Sequence, residues 1–285
     1  MAHTGCQARR PPPARGRACR RSARRGHSRR SRLPVAVVTG ASSGIGAAVA
    51  RELGRRGWHC VLLARNEERL RAVAAEVGGE YELCDVGDRH AVERVAARVV
   101  ERHPAIRLLV NNAGVAGRSV GERGRRGFLD AQAERLEELF RVNFLGAVWC
   151  LRAFMPALRA GRPSHVVNVA SVAGTVAVPP GPYAASKHAL VAFSRALAAT
   201  LPREGISVHT VNPGFVETPG FPQRGRLGNR LLERSVIEPE HVARRIVRAV
   251  ERNRPEIFVP GWYRVPAVAQ WLAPGLVSRL LARVR

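Results

Sequence analysis

Val35-Ala-Val-Val-Thr-Gly40-Ala-Ser-Ser-Gly44-Ile-Gly46 decides the fold of this chain. Val35 to Thr39 is a short, largely β-branched run without a charged break, as expected of a strand buried on both faces. Three glycines follow, and then a helical stretch to about Arg56. Gly40 allows the sharp turn from strand to helix. Gly44 lets backbone N–H groups approach a pyrophosphate, and Gly46 lets helix and strand pack closely. The positive end of the helix then faces the anion. Placed after a first strand and opening a helix, such a loop reads as a dinucleotide site rather than a plain turn.

Working outward, strand and helix patterns alternate. Strands are predicted at Cys60–Leu63, Tyr81–Cys84, Leu108–Asn111, His165–Ala170, Ser207–Val211 and Glu256–Val259. Helices are predicted at Glu67–Val77, Asp88–Arg102, about Ala131–Arg159, Tyr183–Leu201 and Glu238–Glu251. This order builds an α/β fold, a doubly wound parallel sheet of about seven strands in three layers, with right-handed crossovers. Ligands in such sheets bind beyond the carboxyl ends of the strands. Gly117–Gly127, Pro213–Ile237 and the tail from Pro260 break the rhythm, and long loops of this kind often cover sites. The expected organisation is an Arg/Pro-rich arm at 1–33, one nucleotide-binding domain at 34–260 and an amphipathic extension at 261–285.

A second motif is Tyr183-Ala-Ala-Ser-Lys187. Lys187 is the one lysine in a chain with 47 lysines and arginines. Arginine's planar fork cannot replace a compact ammonium that must reach a sugar hydroxyl beside a phenol. Tyr183 and Lys187 stand four apart and share a helix face. The glycine spacing GxxxGxG, Asn111-Asn-Ala-Gly114 after the fourth strand, Ser171 and this Tyr-x-x-x-Lys together resemble the short-chain dehydrogenase/reductase family over about residues 34–260. The resemblance implies a nicotinamide-dependent oxidoreductase on a Rossmann-like sheet.

For the cofactor, the second strand ends in Ala64-Arg65-Asn66. An acid at this place would hold the ribose 2′-hydroxyl of NAD. None stands there, and Arg65 can clamp a 2′-phosphate, with Asn66 beside it and Ser43 adding a hydroxyl. The expected cofactor is therefore NADP(H), with NAD the alternative. Gly40, Ser42, Ser43, Gly44, Ile45 and Gly46 form the phosphate loop. By resemblance, Asp85 and Val86 meet the adenine, and Asn112, Ala113 and Gly114 pass the adenosine ribose. Pro213, Gly214, Val216 and Thr218 match the segment near the nicotinamide amide. Asn111 is expected to be structural.

For the chemistry, free tyrosine has a pKa of about 10 and is a poor acid-base catalyst at neutral pH. The expectation is that the Lys187 ammonium, the helix end and the oxidised nicotinamide ring lower it. Ser171 polarises the substrate carbonyl and steadies a developing alkoxide. Asn143 lies mid-helix, where asparagine is unfavourable; by resemblance it fixes a water that links Lys187 to solvent. Tyr183 then protonates the carbonyl oxygen as NADPH delivers hydride, from the pro-S face by resemblance, and acts as base in the reverse direction. An NAD-linked alcohol or steroid dehydrogenase is the alternative enzyme. A non-catalytic basic scaffold for membrane or nucleic acid is the alternative outside enzymes.

The formal net charge is +25, and eleven of the positive charges lie in residues 1–32, which hold no acid. That stretch has little to bury and reads as disordered. It reads as a solvated tail or upstream read-through rather than a nucleic-acid arm, because no aromatic interleaves with the arginines. Cys6, Cys19, Cys60, Cys84 and Cys150 form no CxxC pair, so a reduced, cytoplasmic protein is expected. No metal site is expected, since His59, His90, His103, His165, His188 and His209 show no shared face with carboxylates. Phe221, Leu227, Leu231 and Leu232 stand among arginines after the sixth strand and suggest an apolar pocket with a basic rim, suited to an acyl or lipid-like ketone bearing an acid; the expected partner is a small-molecule carbonyl or alcohol substrate. In the tail, Leu276, Val277, Leu280, Leu281 and Val284 make an apolar stripe below Trp262, Tyr263 and Trp271. The favoured reading is a helix packed on the domain or a second subunit; the alternative is peripheral contact with an anionic membrane. By resemblance the chain pairs as a dimer or tetramer through the helices near Leu136–Leu158 and Tyr183–Leu201.

Overall fold

Successive residues of the first strand point into two different apolar layers. In β1 (Val35–Thr39), Ala36 and Val38 join one cluster and Val37 joins the other. In β2 (His59–Ala64), Cys60, Leu62 and Ala64 face the first layer, and Val61 and Leu63 the second. A strand that is apolar on both sides must be covered on both sides, and it is. The computed structural model describes residues 1–2, 33–116, 127–129, 131–177, 181–219, 224–225 and 233–283.

The remaining strands are β3 (Glu80–Leu83), β4 (Leu108–Asn111), β5 (Ser164–Val169), β6 (Ile206–Pro213) and β7 (Glu256–Val259). They form one parallel seven-stranded sheet in the order β3-β2-β1-β4-β5-β6-β7. Helices α1 (Gly44–Arg55), α2 (Glu67–Val77) and α7 (Pro239–Glu251) cover the first layer; α3 (Arg89–Arg102) and α5 (Gly146–Ala160), joined by α6 (Pro182–Thr200), cover the second. The strand order reverses between β1 and β4, which opens a crevice at their carboxyl ends.

The bounds expected for one helix and one strand need correction. The long helix near 131–159 is divided: α4 (Ala133–Phe140) passes through a π-turn at Arg141–Leu145 before α5. Strand β6 runs two residues further than its β-branched run, because Asn212 and Pro213 pair with Phe258 and Val259 of β7. The loop after it is pinned at its ends, where Val216 bridges Ile237 and Glu217 N–H donates to the Ile237 carbonyl at 3.0 Å.

The third correction concerns the histidines. At the amino-terminal edge of the sheet, His59 Nε2 and His103 Nε2 lie 3.0 and 3.2 Å from the same Glu80 carboxylate oxygen. A shared face with a carboxylate therefore exists. Sequence spacing hid it because the three residues come from a strand start, a second strand start and a helix end. Cys60, Cys84 and Cys150 are buried free thiols, as expected; burial raises Cys60 to about 12 and Cys84 to about 11.

After β7 the tail forms α8 (Arg264–Leu272) and α9 (Pro274–Arg283). Tyr263 is buried, yet Trp262, Val265, Trp271, Leu272, Leu276 and Leu280 stay exposed. Packing of the apolar stripe onto its own domain is thus not what the described residues show. No single described helix is long and apolar enough to cross a membrane; residues 261–272 and 274–282 pass together only as a pair bent by 112°. The expectations for the arm, for Cys6 and Cys19, for Val284 and for Phe221, Leu227, Leu231 and Leu232 lie outside the described residues.

Candidate active site

A cleft of about 800 Å³ lies along the carboxyl edge of the sheet. The β1–α1 turn forms its floor. Gly40 adopts φ +64°, and a Cβ there would stand 2.8 Å from Ala113 Cα. At Gly46 a Cβ would stand 2.3 Å from the Gly40 carbonyl oxygen and 2.5 Å from Asn112 Nδ2. Gly46 is buried and is absent from the cleft wall, so its task is close packing. Gly40, Ser42, Ser43, Gly44 and Ile45 face the cleft. Ser43 occupies the N-cap of α1 without committing its side chain to the helix, and the first turn holds no acid. The end of α1 is therefore open to an anion.

Thr39 ties this turn to the β4 end. Its hydroxyl accepts from Asn112 N and Ala113 N, both at 3.0 Å, and donates to the Val110 carbonyl at 3.3 Å. Asn112 returns a side-chain bond to the Thr39 carbonyl at 3.0 Å. Asn111 is buried and donates to Asn168 Oδ1 at 2.9 Å, as expected of a structural residue. Thr39 went unrecognised in the sequence because it reads simply as the last strand residue.

At the far end of the cleft, Arg65 and Asp85 face each other across 3.7 Å, both well exposed. The position after β2 carries no acid, and the carboxylate facing Arg65 reaches it from another strand. The acid comes from the end of β3, a neighbouring strand, not from β2 itself. Gly87 N–H donates to Asp85 Oδ1 at 2.8 Å and fixes that carboxylate. Asn66 spends its side-chain oxygen capping α2, accepting from Arg69 N at 2.9 Å. Val86, Ala113, Gly114, Pro213, Gly214, Val216 and Thr218 all line the cleft as well.

Near the middle, Ser171, Tyr183 and Lys187 converge from β5 and α6. Pro182 opens α6, so Tyr183 sits in its first turn. Tyr183 is hydrogen-bonded to Ser171, whose hydroxyl also accepts from Ala173 N at 3.1 Å. Lys187 is buried; its Nζ donates to the Val169 carbonyl at 3.0 Å and lies 6.0 Å from the centre of the Tyr183 ring. Burial brings the Lys187 ammonium down to about 8. Burial pushes the Tyr183 phenol above its usual value, and the Ser171 bond only partly offsets that. Burial thus acts against the acidification expected from the ammonium. The direction is set by desolvation of the phenol.

Asn143 lies outside the cleft wall, in the π-turn. Its Oδ1 accepts from Val115 N at 2.7 Å, and its Nδ2 donates to the Val115 carbonyl at 3.0 Å and Ser186 Oγ at 3.1 Å. Ser186 Oγ in turn donates to the Tyr183 carbonyl at 2.7 Å. A π-turn shifts the helix register by one residue and often marks a functional place; here it delivers an otherwise unfavourable asparagine to the start of α6. A Cβ at Gly114 would stand 3.1 Å from Asn143 Oδ1 and 3.5 Å from Lys187 Nζ, so both side chains border Gly114. Ser186 was missed in the sequence, where nothing separates it from any other helical serine.

Known proteins resemble the chain over this same ground. A Streptomyces coelicolor protein provisionally named a ketoacyl reductase is 40% identical over 197 residues, covering 65% of this chain and 71% of that one. The Xenopus laevis dehydrogenase/reductase SDR family member 7B is 30% identical over 269 residues, covering 87% and 80%. The crystal structure of a single-substitution variant of actinorhodin polyketide ketoreductase with NADPH superposes with a TM-score of 0.71 at 30% identity, covering 80% of this chain and 96% of that one. The family model for short chain dehydrogenases matches residues 34–226. That match begins at the strand before the glycine loop and runs beyond β6, so the walls of the cleft fall inside it, and the chain belongs to the short chain dehydrogenase family of oxidoreductases.

Proposed function

We propose that this protein is an NADP(H)-dependent reductase of a ketone carried on an acyl chain. The observation that carries the reading is the convergence of Ser171, Tyr183 and Lys187 beside the glycine turn at the switch point of the sheet. The residues present fit a dinucleotide. The turn is emptied of side chains where Cβ atoms would strike Ala113 and the Gly40 carbonyl, the α1 end is free of acids, and a guanidinium stands at the β2 end. When bound, NADPH supplies the hydride.

Gly40 to Gly46 would hold the pyrophosphate on backbone N–H groups, and Arg65 would turn from Asp85 to a 2′-phosphate. Tyr183 donates its proton to the substrate oxygen as negative charge grows there. The phenol is protonated at neutral pH, as a proton donor must be, but burial makes it a weaker acid, so the positive charge of Lys187 has to offset that burial. Ser171, already bonded to that phenol, offers its hydroxyl to the same oxygen. Lys187 keeps a positive charge next to the phenol below about pH 8, which stabilises the tyrosinate left after proton transfer. Asn143 holds the start of α6 through Ser186 and borders Lys187 across Gly114, a position from which a proton could be resupplied. The acyl ketone class draws on the names of the Streptomyces relative and of the polyketide ketoreductase. Pairing of two copies through the faces of α5 and α6 is the quaternary reading, supported by half-buried Trp149 and Phe193 there.

Mixing the protein with NADPH and a panel of ketones, aldehydes and acyl thioesters tests this directly. Oxidation of NADPH by acyl ketones is expected; turnover with NADH alone would refute the cofactor assignment. Arg65→Asp places a second carboxylate beside Asp85 and is expected to cost at least about tenfold in NADPH affinity, a loss of one charge-assisted pair plus new repulsion. Titration by cofactor fluorescence checks it, and an unchanged NADPH-to-NADH ratio would remove Arg65 from the site. The pH profile follows from Lys187. Its charge is present below about 8 and lost above it, so kcat for reduction should fall as pH rises through that value. The same limb persisting in Lys187→Met would assign it to another group.

A further inference from the structure

We propose that His59, Glu80 and His103 bind one divalent transition-metal ion of the zinc class, at the edge of the sheet opposite the cleft. The three come from rigid elements. His59 opens β2, with its N–H bonded to the Pro34 carbonyl at 3.0 Å; Glu80 opens β3; His103 caps α3, with its N–H on the Val99 carbonyl at 2.8 Å. The two imidazoles reach one carboxylate oxygen, Glu80 Oε1, at 3.0 and 3.2 Å. All three ligand atoms lie within 4.8 Å of one another. Around a tetrahedral zinc with bonds of about 2.0–2.1 Å, neighbouring ligand atoms are about 3.3 Å apart. The two edges to Glu80 Oε1 are close to that spacing, the edge between the imidazoles is at most 4.8 Å, and the ion would replace two hydrogen bonds with three coordinate bonds.

The carboxylate is oriented from behind. Arg102 Nε donates to Glu80 Oε2 at 3.1 Å, leaving Oε1 for the imidazoles. Arg102 also donates to Glu82 Oε1 at 2.7 Å, and Arg98 to Glu82 Oε2 at 2.6 Å. Two guanidinium groups are therefore matched by two carboxylates, and the cation meets a locally neutral surface. Both imidazoles are mostly buried, at 15% and 16% exposure, while Glu80 is 37% exposed. That leaves access for the ion and a fourth position for water. Two borderline imidazole donors beside a single hard carboxylate suit zinc, copper or nickel better than magnesium or calcium. The site is far from the reacting groups in the topology, so its role is to clamp the end of α3 to β2 and β3.

The test uses the full chain, stripped with a chelator and titrated with Co²⁺ alone, then with Zn²⁺ in competition. Wild type is expected to take up Co²⁺ saturably with visible d–d bands, and to melt several degrees higher with excess Zn²⁺. His59→Gln and His103→Gln should each weaken Co²⁺ binding at least about tenfold, the lower end of the cost of disturbing even an outer-shell partner. Glu80→Gln preserves shape and a hydrogen-bond acceptor but removes the anionic ligand, so it should lose the bands while keeping the metal-free melting temperature. Uptake with unchanged stoichiometry and affinity in all three variants would place the ion elsewhere on the chain. Absence of saturable binding below about 1 mM would leave a purely hydrogen-bonded cluster. Either result overturns the site.

Discussion

Tyr183→Phe is expected to lower turnover by about 10²- to 10⁴-fold, the usual contribution of a positioned acid, while NADPH binding changes by less than about threefold. The substitution removes one hydroxyl, which is bonded to Ser171. The ring stays in the first turn of α6, and Lys187 stays bonded to the Val169 carbonyl. The cofactor wall is therefore kept while the proton donor is lost. Single-turnover rates and NADPH fluorescence titration separate the two effects. Activity within tenfold of wild type would remove Tyr183 from acid catalysis and shift the role to Ser171. Because burial raises the phenol, the fall in the wild-type rate of reduction caused by loss of this proton should lie well on the basic side of neutrality.

Gly46→Ala should be the most destabilising single methyl addition in the loop, by about 3 kcal/mol or more, the upper end of overpacking costs. The added carbon would stand 2.3 Å from the Gly40 carbonyl oxygen and 2.5 Å from Asn112 Nδ2. The carbonyl is backbone and cannot rotate away. Relief requires α1 to move off the β1 end, which also spoils the anion site and loosens the Asn112 bond to Thr39. A drop in melting temperature on the order of 6–12 °C is expected, with NADPH affinity falling alongside. Gly261→Ala is the control, since a Cβ there meets nothing within 4 Å; it should melt like wild type. Equal behaviour of the two variants would show that the β1–α1 contact is slack.

The alternating strands and helices were readable from residues 34–260 because each pattern is local. The β-branched run at Val35–Thr39 and the exact span of α2, Glu67–Val77, needed no distant partner. Most of the cleft lining was readable too, for a topological reason. In a parallel sheet every carboxyl end lies on the same edge, so residues just after strands meet without their pairings being known. Other features depended on partners far along the chain. The π-turn at Arg141–Leu145 arises where Asn143 reaches Val115 and Ser186, and a continuous helical pattern conceals it. The exposure of the tail stripe, with Leu276 and Leu280 uncovered, is a property of what lies nearby, and periodicity cannot report that.

Chemistry divides along the same line. Residue types, spacing and the family resemblance together named Ser171, Tyr183 and Lys187, and the parallel topology placed them on one edge beside the glycine turn. The protonation balance was not contained there. An i, i+4 ammonium argues for an acidic phenol, yet the fold buries both groups, bonds the amine to the Val169 carbonyl and raises the tyrosine. The Arg65–Asp85 pair and the His59–Glu80–His103 cluster likewise exist only once β2 and β3 are side by side. Spacing along a chain sets which groups one element presents, whereas desolvation and cross-strand charge depend on neighbours that only the assembled sheet supplies.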